Sequence, residues 1–190
     1  MIRVDEYESY AILTIDREDK ANALNMETIE EIRKELERLE KNKNIVSVII
    51  TGKGKFFSAG GDLREMLMLD ENGGKEFSKK GQDLMDYIEN SDKIFIACLN
   101  GPAYGGGMEL SLACDIRVAG KNVKMGQTEI NVGLVTGWGG AERLIENVGR
   151  GLAKFMLLTG YVMSADEAKN LGIIHVISDN PLEDSIKIAK

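Results

Sequence analysis

Short apolar runs alternate with amphipathic segments along this chain, and glycine-rich turns stand at several of the junctions. Tyr10–Asp16, Ile45–Thr51 and Ile94–Leu99 are typical of strands, because they are short and rich in aliphatic or β-branched residues. Asn25 is placed to cap a helix between the first two strands. The apolar residues of that helix recur at helical spacing: Ile29, Ile32, Leu36 and Leu39. Strands that alternate with helices predict an α/β domain.

The rest of the chain continues this alternation. Further helices are expected at Arg64–Leu69, Glu76–Asn90, Gly107–Ala113, Ala141–Asn147, Leu152–Leu158 and Ser164–Asn170. Further short strands are expected at Ile116–Ala119, Val123–Met125 and Ile173–Ile177. The 190 residues, of which 43% are hydrophobic, suit a single domain over 1–190 with a substantial core.

Composition excludes several classes of function. The net charge of -7 disfavours nucleic acid as a partner, because such a surface repels phosphate. No apolar stretch is long enough to cross a bilayer and the first residues lack a signal region, so no membrane partner is expected and the cytoplasm is the predicted location. Cys98 and Cys114 match no metal or redox spacing, which predicts neither a disulfide nor a metal site.

Four basic residues lie close to the glycine turns in the sequence: Arg17, Lys20, Lys53 and Lys55. They have two interpretations. They could attract a small anionic ligand, or they could be scattered surface charges that keep the protein soluble. The sequence leaves both open.

Glycine stretches precede two glutamates, Glu109 in Gly105–Glu109 and Glu129 in Gly126–Glu129. A third small-residue turn, Phe57–Leu63, ends at a position suited to the start of a helix. Glycine lets the backbone approach a ligand closely, so the N–H groups of Gly61 and Gly106 are candidates to bind one carbonyl oxygen. Loss of one such donor typically raises a reaction barrier by about 3 kcal/mol.

Two carboxylates beside such donors suit the addition of water to a double bond, because one can accept a proton from water while the other gives a proton to carbon. A single glutamate is more often a surface residue. The glycine-rich surroundings of Glu109 and Glu129 favour a catalytic interpretation.

Several motifs, in this order, resemble the crotonase (enoyl-CoA hydratase/isomerase) family. They are Phe57–Leu63, Asn100–Gly101 with Gly105–Leu110, Gly126–Ile130, and Leu158–Gly160 with Ser164–Ala165. The resemblance spans nearly the whole chain. It implies the crotonase-like α/β fold of stacked ββα units and, as substrate, an acyl-CoA thioester, with no separate cofactor and no metal.

The resemblance also implies the roles of individual residues. Gly61 and Gly106 match the family's oxyanion hole, Glu109 matches the residue that activates water, and Glu129 matches the residue that protonates the α-carbon. The positions that match the coenzyme A and thioester groove are Ala21, Ala23, Ala59, Asp62 and Leu63. Family members also assemble as homotrimers or dimers of trimers.

This chain departs from the family pattern at several positions. Ile94, Thr128 and Thr136 stand where proline is usual, and Trp138 stands where a small residue is common. Trp138 either narrows the acyl pocket or serves as a packing residue. The sequence ends at Lys190, before the helices that usually support trimer formation, so the oligomeric prediction holds only if that region is not essential.

Other functions have weaker support. The single histidine, His175, lies in an apolar run and suits packing, and it leaves Ser58 and Ser111 without a histidine of their own for nucleophilic catalysis. The glycine turns match neither the dinucleotide fingerprint nor the phosphate loop. A double-bond isomerase, another acyl-CoA lyase and a non-catalytic binding protein stay open beside the hydratase.

Overall fold

A computed structural model describes residues 1–190, which form nine strands, eight α-helices and two short 3-10 helices. The strands are β1 (Ile2–Glu6), β2 (Tyr10–Ile15), β3 (Ser47–Gly52), β4 (Ile94–Leu99), β5 (Ala103–Tyr104), β6 (Ile116–Gly120), β7 (Lys124–Gly126), β8 (Met163–Ser164) and β9 (Val176–Ser178). The helices are α1 (Met26–Lys41), α2 (Leu63–Met66), α3 (Glu71–Glu89), α4 (Gly106–Ala113), α5 (Gly140–Val148), α6 (Arg150–Thr159), α7 (Ala165–Asn170) and α8 (Pro181–Ala189). The 3-10 helices are Glu18–Lys20 and Glu129–Val132.

The main sheet has six strands in the order β1-β2-β3-β4-β6-β9. β1 pairs antiparallel with β2, and the other neighbours run parallel. All six residues of β3 are buried, as expected for a central parallel strand that is covered on both faces. Two apolar clusters form the core, a large one that includes residues of α1, α3 and α4 and a smaller one that includes Ala189 of α8.

A second sheet of three short strands, β5-β7-β8, positions the glycine turns. Tyr104 of β5 pairs with Gly126 of β7, and the Gly105 N–H donates to the Gly126 carbonyl at 2.9 Å. The chain enters α4 directly after β5, and it reaches Glu129 three residues after β7 ends. This strand pair therefore brings the start of α4 next to Glu129.

The predicted α/β architecture is confirmed, and so is the cap of the first helix. The Asn25 side chain accepts a hydrogen bond from the Thr28 N–H at 3.0 Å, and the four predicted apolar residues of α1 are buried. Cys98 and Cys114 are buried free thiols. None of the helices is both long enough and apolar enough to cross a membrane.

Several predicted boundaries were wrong. α3 begins at Glu71 rather than Glu76, because Asp70 caps it by accepting a hydrogen bond from the Gly73 N–H at 2.7 Å. α2 ends at Met66 instead of continuing to Leu69.

The two edges of the main sheet also differ from the prediction. β1 was not predicted; it is a short edge strand in which no residue is fully buried. β9 begins at Val176 rather than Ile173. Ile173 and Ile174 instead form the turn after α7, where both N–H groups donate to the Ala168 carbonyl.

Candidate active site

The turn of residues 58–61 packs against the start of α4. The Tyr104 N–H donates to the Ser58 carbonyl at 3.0 Å. A Cβ atom added to Gly60 would lie 3.1 Å from the Gly106 nitrogen, and one added to Gly107 would lie 2.4 Å from the Ser58 carbonyl oxygen. The approach is possible because these positions lack side chains, and it places the backbone next to Gly61 beside that of Gly106.

The two predicted oxyanion donors keep their N–H groups unpaired. Neither the Gly61 N–H nor the Gly106 N–H is among the donors that hydrogen-bond in the turns and loops. Gly106 is the first residue of α4, so the helix itself offers its N–H no acceptor. The positive end of the helix dipole adds to the attraction for negative charge at this position. Both amides are therefore available to a ligand.

Glu109 lies in the first turn of α4 with 2% of its surface exposed. Its Oε1 atom accepts hydrogen bonds from the Trp138 N–H at 2.7 Å and the Gly140 N–H at 2.9 Å. Burial raises the pKa of the Glu109 carboxyl to about 7, with a smaller contribution from the Glu129 charge, while the two N–H donors and the Arg143 charge act in the opposite direction. Glu109 is consequently held in place and able to exchange a proton near neutral pH.

Glu129 begins the 3-10 helix that follows β7, and its carboxylate faces the glycine turn before α4. A Cβ atom added to Gly105 would lie 3.3 Å from Glu129 Oε1. The Gln127 amide nitrogen, in the orientation that satisfies both of its polar atoms, lies 2.9 Å from the same oxygen. Burial raises the pKa of the Glu129 carboxyl, and a hydrogen bond from its own backbone N–H opposes that shift. The predicted glutamates are thus brought together, close enough to interact electrostatically.

Arg143, which the sequence analysis missed, links the Glu109 side of this site to α3. Its guanidinium donates to the Trp138 carbonyl at 2.9 Å and pairs with Asp86 at 2.9 Å and Glu89 at 2.7 Å. Only 6% of the side chain is exposed. The one sequence signal is its spacing, because positions 140, 143 and 144 share the buried face of α5. Arg143 therefore holds the loop whose N–H groups bind Glu109.

Asn22 lies in the predicted groove segment but was not among the residues assigned to the site. It is fully buried and has a positive φ of 54°, as has Ala21 with 51°. Its amide nitrogen donates to the Lys53 carbonyl at 2.9 Å and the Phe56 carbonyl at 2.7 Å. The Ala59 N–H donates to the Ala21 carbonyl at 3.0 Å. Asn22 and Ala21 therefore join the predicted groove segment to the turn that carries Gly61.

Arg17 and Asp62 reinforce that junction. Their side chains form an ion pair at 3.1 Å, and Arg17 also donates to the Ala23 carbonyl. Burial alone would raise the pKa of Asp62, but hydrogen bonds from Arg17 and from backbone N–H groups hold it below its usual value. Arg17 is therefore already paired with Asp62, and attraction of an anionic ligand by this residue stays a prediction. Leu63, in contrast, is 47% exposed beside Asp62.

Two of the three lysines among the four basic candidates have acidic neighbours. Lys53 pairs with Asp16 at 2.9 Å, and Lys20 pairs with Asp19 at 3.5 Å. Both pairs are exposed, so they cost little to break and neither excludes an anionic ligand.

The remaining candidates from the sequence have local structural contacts. His175 Nδ1 accepts a hydrogen bond from the Arg117 N–H at 3.1 Å, at the β6–β9 edge of the main sheet. The Ser111 hydroxyl donates to the Met108 carbonyl at 2.8 Å, and the Ser58 hydroxyl accepts from the Gly60 N–H at 3.1 Å. The structure brings together no group of three His, Cys, Asp or Glu side chains that would suit a metal ion.

Comparison with known proteins gives a consistent result. Residues 5–188 match the enoyl-CoA hydratase/isomerase family. The chain is 38% identical over 168 residues to a short-chain-enoyl-CoA hydratase of Clostridium acetobutylicum, and 40% identical over 177 residues to a crotonyl-CoA hydratase of Syntrophomonas wolfei. These alignments cover 88% and 93% of this chain, but only 64% and 68% of the two relatives, so the chain spans about two thirds of their length.

A solved structure of enoyl-CoA hydratase from Bacillus anthracis superposes with a TM-score of 0.95 at 35% identity, over 99% of this chain and 74% of the other. This superposition confirms the predicted crotonase-like fold. The chain belongs to the enoyl-CoA hydratase/isomerase family.

Proposed function

We propose that this protein is an enoyl-CoA hydratase, which adds water to a trans-2-enoyl-CoA thioester and produces a 3-hydroxyacyl-CoA. The observation that carries this proposal is the pair of carboxylates, Glu109 and Glu129. Glu109 is buried and Glu129 is partly buried, both have raised pKa values, and the charge of Glu129 acts on Glu109. Membership of the family supplies the substrate class.

The thioester carbonyl binds between the N–H groups of Gly61 and Gly106. Negative charge develops on the carbonyl oxygen as water adds to the conjugated double bond, and fixed N–H donors stabilise that charge without having to reorganise. The free N–H at the start of α4 and the close packing of the turn before Gly61 support this assignment.

Glu109 accepts a proton from water while the water oxygen forms a bond to C3 of the enoyl group. Glu129 donates its proton to C2, and the electrons of the former double bond form the new C–H bond. With a pKa of about 7, Glu109 is sufficiently ionised at neutral pH to act as a base. The pKa of Glu129 is raised as well, so the protonated form that an acid requires is more populated than in an ordinary glutamate. Exchange with solvent then restores both protonation states.

The substrate groove is formed by the segments of Ala21, Ala23 and Ala59, with Asp62 and Leu63 beside them. The hydrogen bonds that join the backbone of Ala21 to Ala59 support one continuous groove wall. Asp62 acts there through its ion pair with Arg17, which fixes the turn. The homotrimer or dimer of trimers and the cytoplasmic location stay predictions, and light scattering of the purified chain tests the first.

Crotonyl-CoA is the first substrate to test, because relatives of this chain are named as short-chain-enoyl-CoA and crotonyl-CoA hydratases. Hydration removes the conjugated double bond, so it lowers the ultraviolet absorbance of the thioester. We expect turnover by the purified chain and a large loss of turnover in Glu109→Gln and in Glu129→Gln. Full activity of both variants, or no hydration of any trans-2-enoyl chain length, would overturn the proposal.

The double-bond isomerase is the second candidate. An isomerase moves one proton between two carbons, and a single acid/base group can do this, whereas water addition uses two groups at once. The paired carboxylates favour hydration. Incubation with a 3-enoyl-CoA distinguishes the two reactions, because an isomerase would generate conjugated absorbance where a hydratase generates none.

A further inference from the structure

Trp138, the only tryptophan in the chain, is packed against two glycines from different helices. A Cβ atom added to Gly106 of α4 would lie 2.3 Å from its Cζ3 atom, and one added to Gly81 of α3 would lie 2.1 Å from its Nε1 atom. Only 4% of the Trp138 surface is exposed. The indole therefore occupies space that any side chain at either glycine would need.

The same ring belongs to an apolar wall that extends to Gly61, the other proposed oxyanion donor. The ring centroids of Phe77 and Trp138 are 5.3 Å apart, in a tilted arrangement. A Cβ atom added to Gly61 would lie 3.6 Å from Phe77 Cε1 and 3.2 Å from Met66 Sδ. Trp138, Phe77 and Met66 thus form one apolar wall beside both glycines.

The position of Gly81 indicates that α3 is shaped to fit the Trp138 ring. Gly81 lies in the interior of α3, where glycine is less favourable than alanine. An alanine there would collide with the indole. Glycine at this position therefore makes space for Trp138, although it lowers the helix propensity of α3. Gly81 and Trp138 are complementary in shape.

We propose that Trp138 is a specificity-determining residue, which with Phe77 closes the acyl end of the site and restricts the thioester to short acyl groups. This inference rests on the proposed function, because it assumes a thioester carbonyl held between Gly61 and Gly106. An acyl chain attached to that carbonyl starts beside both glycines and meets the apolar wall within a few carbons. Burial of each further methylene would favour binding about fourfold if the space were open.

The first test measures binding of saturated acyl-CoA thioesters, which hydration does not consume. Because Trp138 is the only tryptophan, its emission reports directly on the acyl site. We expect butyryl-CoA to change that emission more than free coenzyme A does, and decanoyl-CoA to bind more weakly than butyryl-CoA. Equal emission changes with butyryl-CoA and free coenzyme A, or tighter binding of decanoyl-CoA, would overturn the inference.

The second test replaces the ring. Trp138→Ala and the milder Trp138→Phe keep the backbone N–H that binds Glu109. Calorimetric affinities for butyryl-CoA and decanoyl-CoA give a chain-length ratio for each variant. We expect Trp138→Ala to shift that ratio towards decanoyl-CoA by at least about tenfold, with a smaller shift in Trp138→Phe.

Leu39→Ala is the matched control, because it opens a cavity at a fully buried position of α1 and should leave the ratio unchanged. An unchanged ratio in both Trp138 variants would show that the residue only packs, and would overturn the inference. These affinities do not depend on turnover. If only the hydratase proposal is wrong, hydration will be absent but the ratio of acyl-CoA affinities will still shift in the Trp138 variants. If only the inference about Trp138 is wrong, hydration will be intact and that ratio will not shift.

Discussion

The two sides of the candidate active site hold the same functional group in different surroundings. On one side, Glu109 is almost completely buried on a helix and bound by two loop N–H groups. On the other side, Glu129 begins a short 3-10 helix, and the residues that follow it leave large apolar side chains in solvent, with Ile130 42% exposed and Val135 84% exposed. Glu109 is rigidly enclosed, whereas Glu129 lies at a more open edge.

This contrast shows how one fold can give two identical carboxyl groups separate tasks. Desolvation raises both pKa values, but Glu109 also receives two N–H hydrogen bonds and the field of Arg143, which favour its ionised form. Glu129 is less enclosed, and the hydrogen bond that opposes its shift comes from its own backbone N–H, so the two carboxyl groups titrate in different surroundings. Pairs of acids whose surroundings separate their protonation states are suited to act as base and acid.

The largest expected effect comes from removing either carboxylate. We expect Glu109→Gln and Glu129→Gln each to lower kcat for crotonyl-CoA hydration by about 10²–10⁴-fold, because each removes one proton-transfer partner. Deuterium exchange at C2 of butyryl-CoA, followed by NMR in D2O, should separate the two roles. Exchange should persist in Glu109→Gln and be lost in Glu129→Gln.

Glu146→Gln is a suitable control for that experiment, since Glu146 is an exposed carboxylate of α5 and should be dispensable. Equal loss of exchange in Glu109→Gln and Glu129→Gln would contradict the separate roles assigned to the two carboxylates.

The second prediction uses the pH dependence of stability. The pKa of Glu109 rises from 4.5 to about 7 on folding, so the folded state binds more protons than the unfolded state between these values. This contribution stabilises the protein at low pH and is lost as the pH rises through that window. Relative to wild type, Glu109→Gln should gain up to about 3 kcal/mol of unfolding free energy between about pH 4 and about pH 8. Urea unfolding at several pH values measures the difference.

Glu129→Gln provides the comparison in the same experiment. Its pKa is raised as well, so the sign of its effect should be the same, but we expect a smaller change because Glu129 is less enclosed. A larger change in Glu129→Gln than in Glu109→Gln would reverse the contrast between the two sides of the site.

The sequence predicted the parts of the molecule that depend on local pattern. The burial of β3 and the cap and apolar stripe of α1 follow from residue type and spacing within one element. The glycine turns and the family resemblance led to Glu109 and Glu129, which the structure brings together. Glycine runs are informative because they mark places where backbone segments approach each other or a ligand.

The contacts that support the site could not be predicted in the same way. The Asn22 amide reaches carbonyls 31 and 34 residues further along the chain, and the Arg143 guanidinium reaches carboxylates 54 and 57 residues earlier. The partner of Arg17 is Asp62, 45 residues away, so this ion pair could not be inferred from the neighbours of Arg17 in the sequence. Such pairs depend on tertiary structure, and no local periodicity encodes them.

The third prediction concerns Arg143, which supports only the Glu109 side. Its positive charge lowers the pKa of Glu109, so Arg143→Met should move the acidic limb of the kcat/KM profile to higher pH. Loss of its hydrogen bond to the Trp138 carbonyl should also lower the unfolding free energy by about 2 kcal/mol. Arg33→Met is the matched control, because Arg33 contacts Tyr87 and Glu37 away from the site. A shift of equal size in both variants would contradict the positioning role.

The smallest expected effects come from two glycines of α3, the helix that packs behind Trp138 on the Glu109 side. Gly74 has no neighbouring atom within 4 Å of an added Cβ, so Gly74→Ala should stabilise the protein by about 1 kcal/mol at most. Gly81→Ala should destabilise it by about 1 kcal/mol or more, because its Cβ would overlap the indole. In a Trp138→Ala background that penalty should disappear, whereas the effect of Gly74→Ala should not change. If Gly81→Ala still lowers the unfolding free energy when the indole is absent, the glycine is required by a contact other than the one with Trp138.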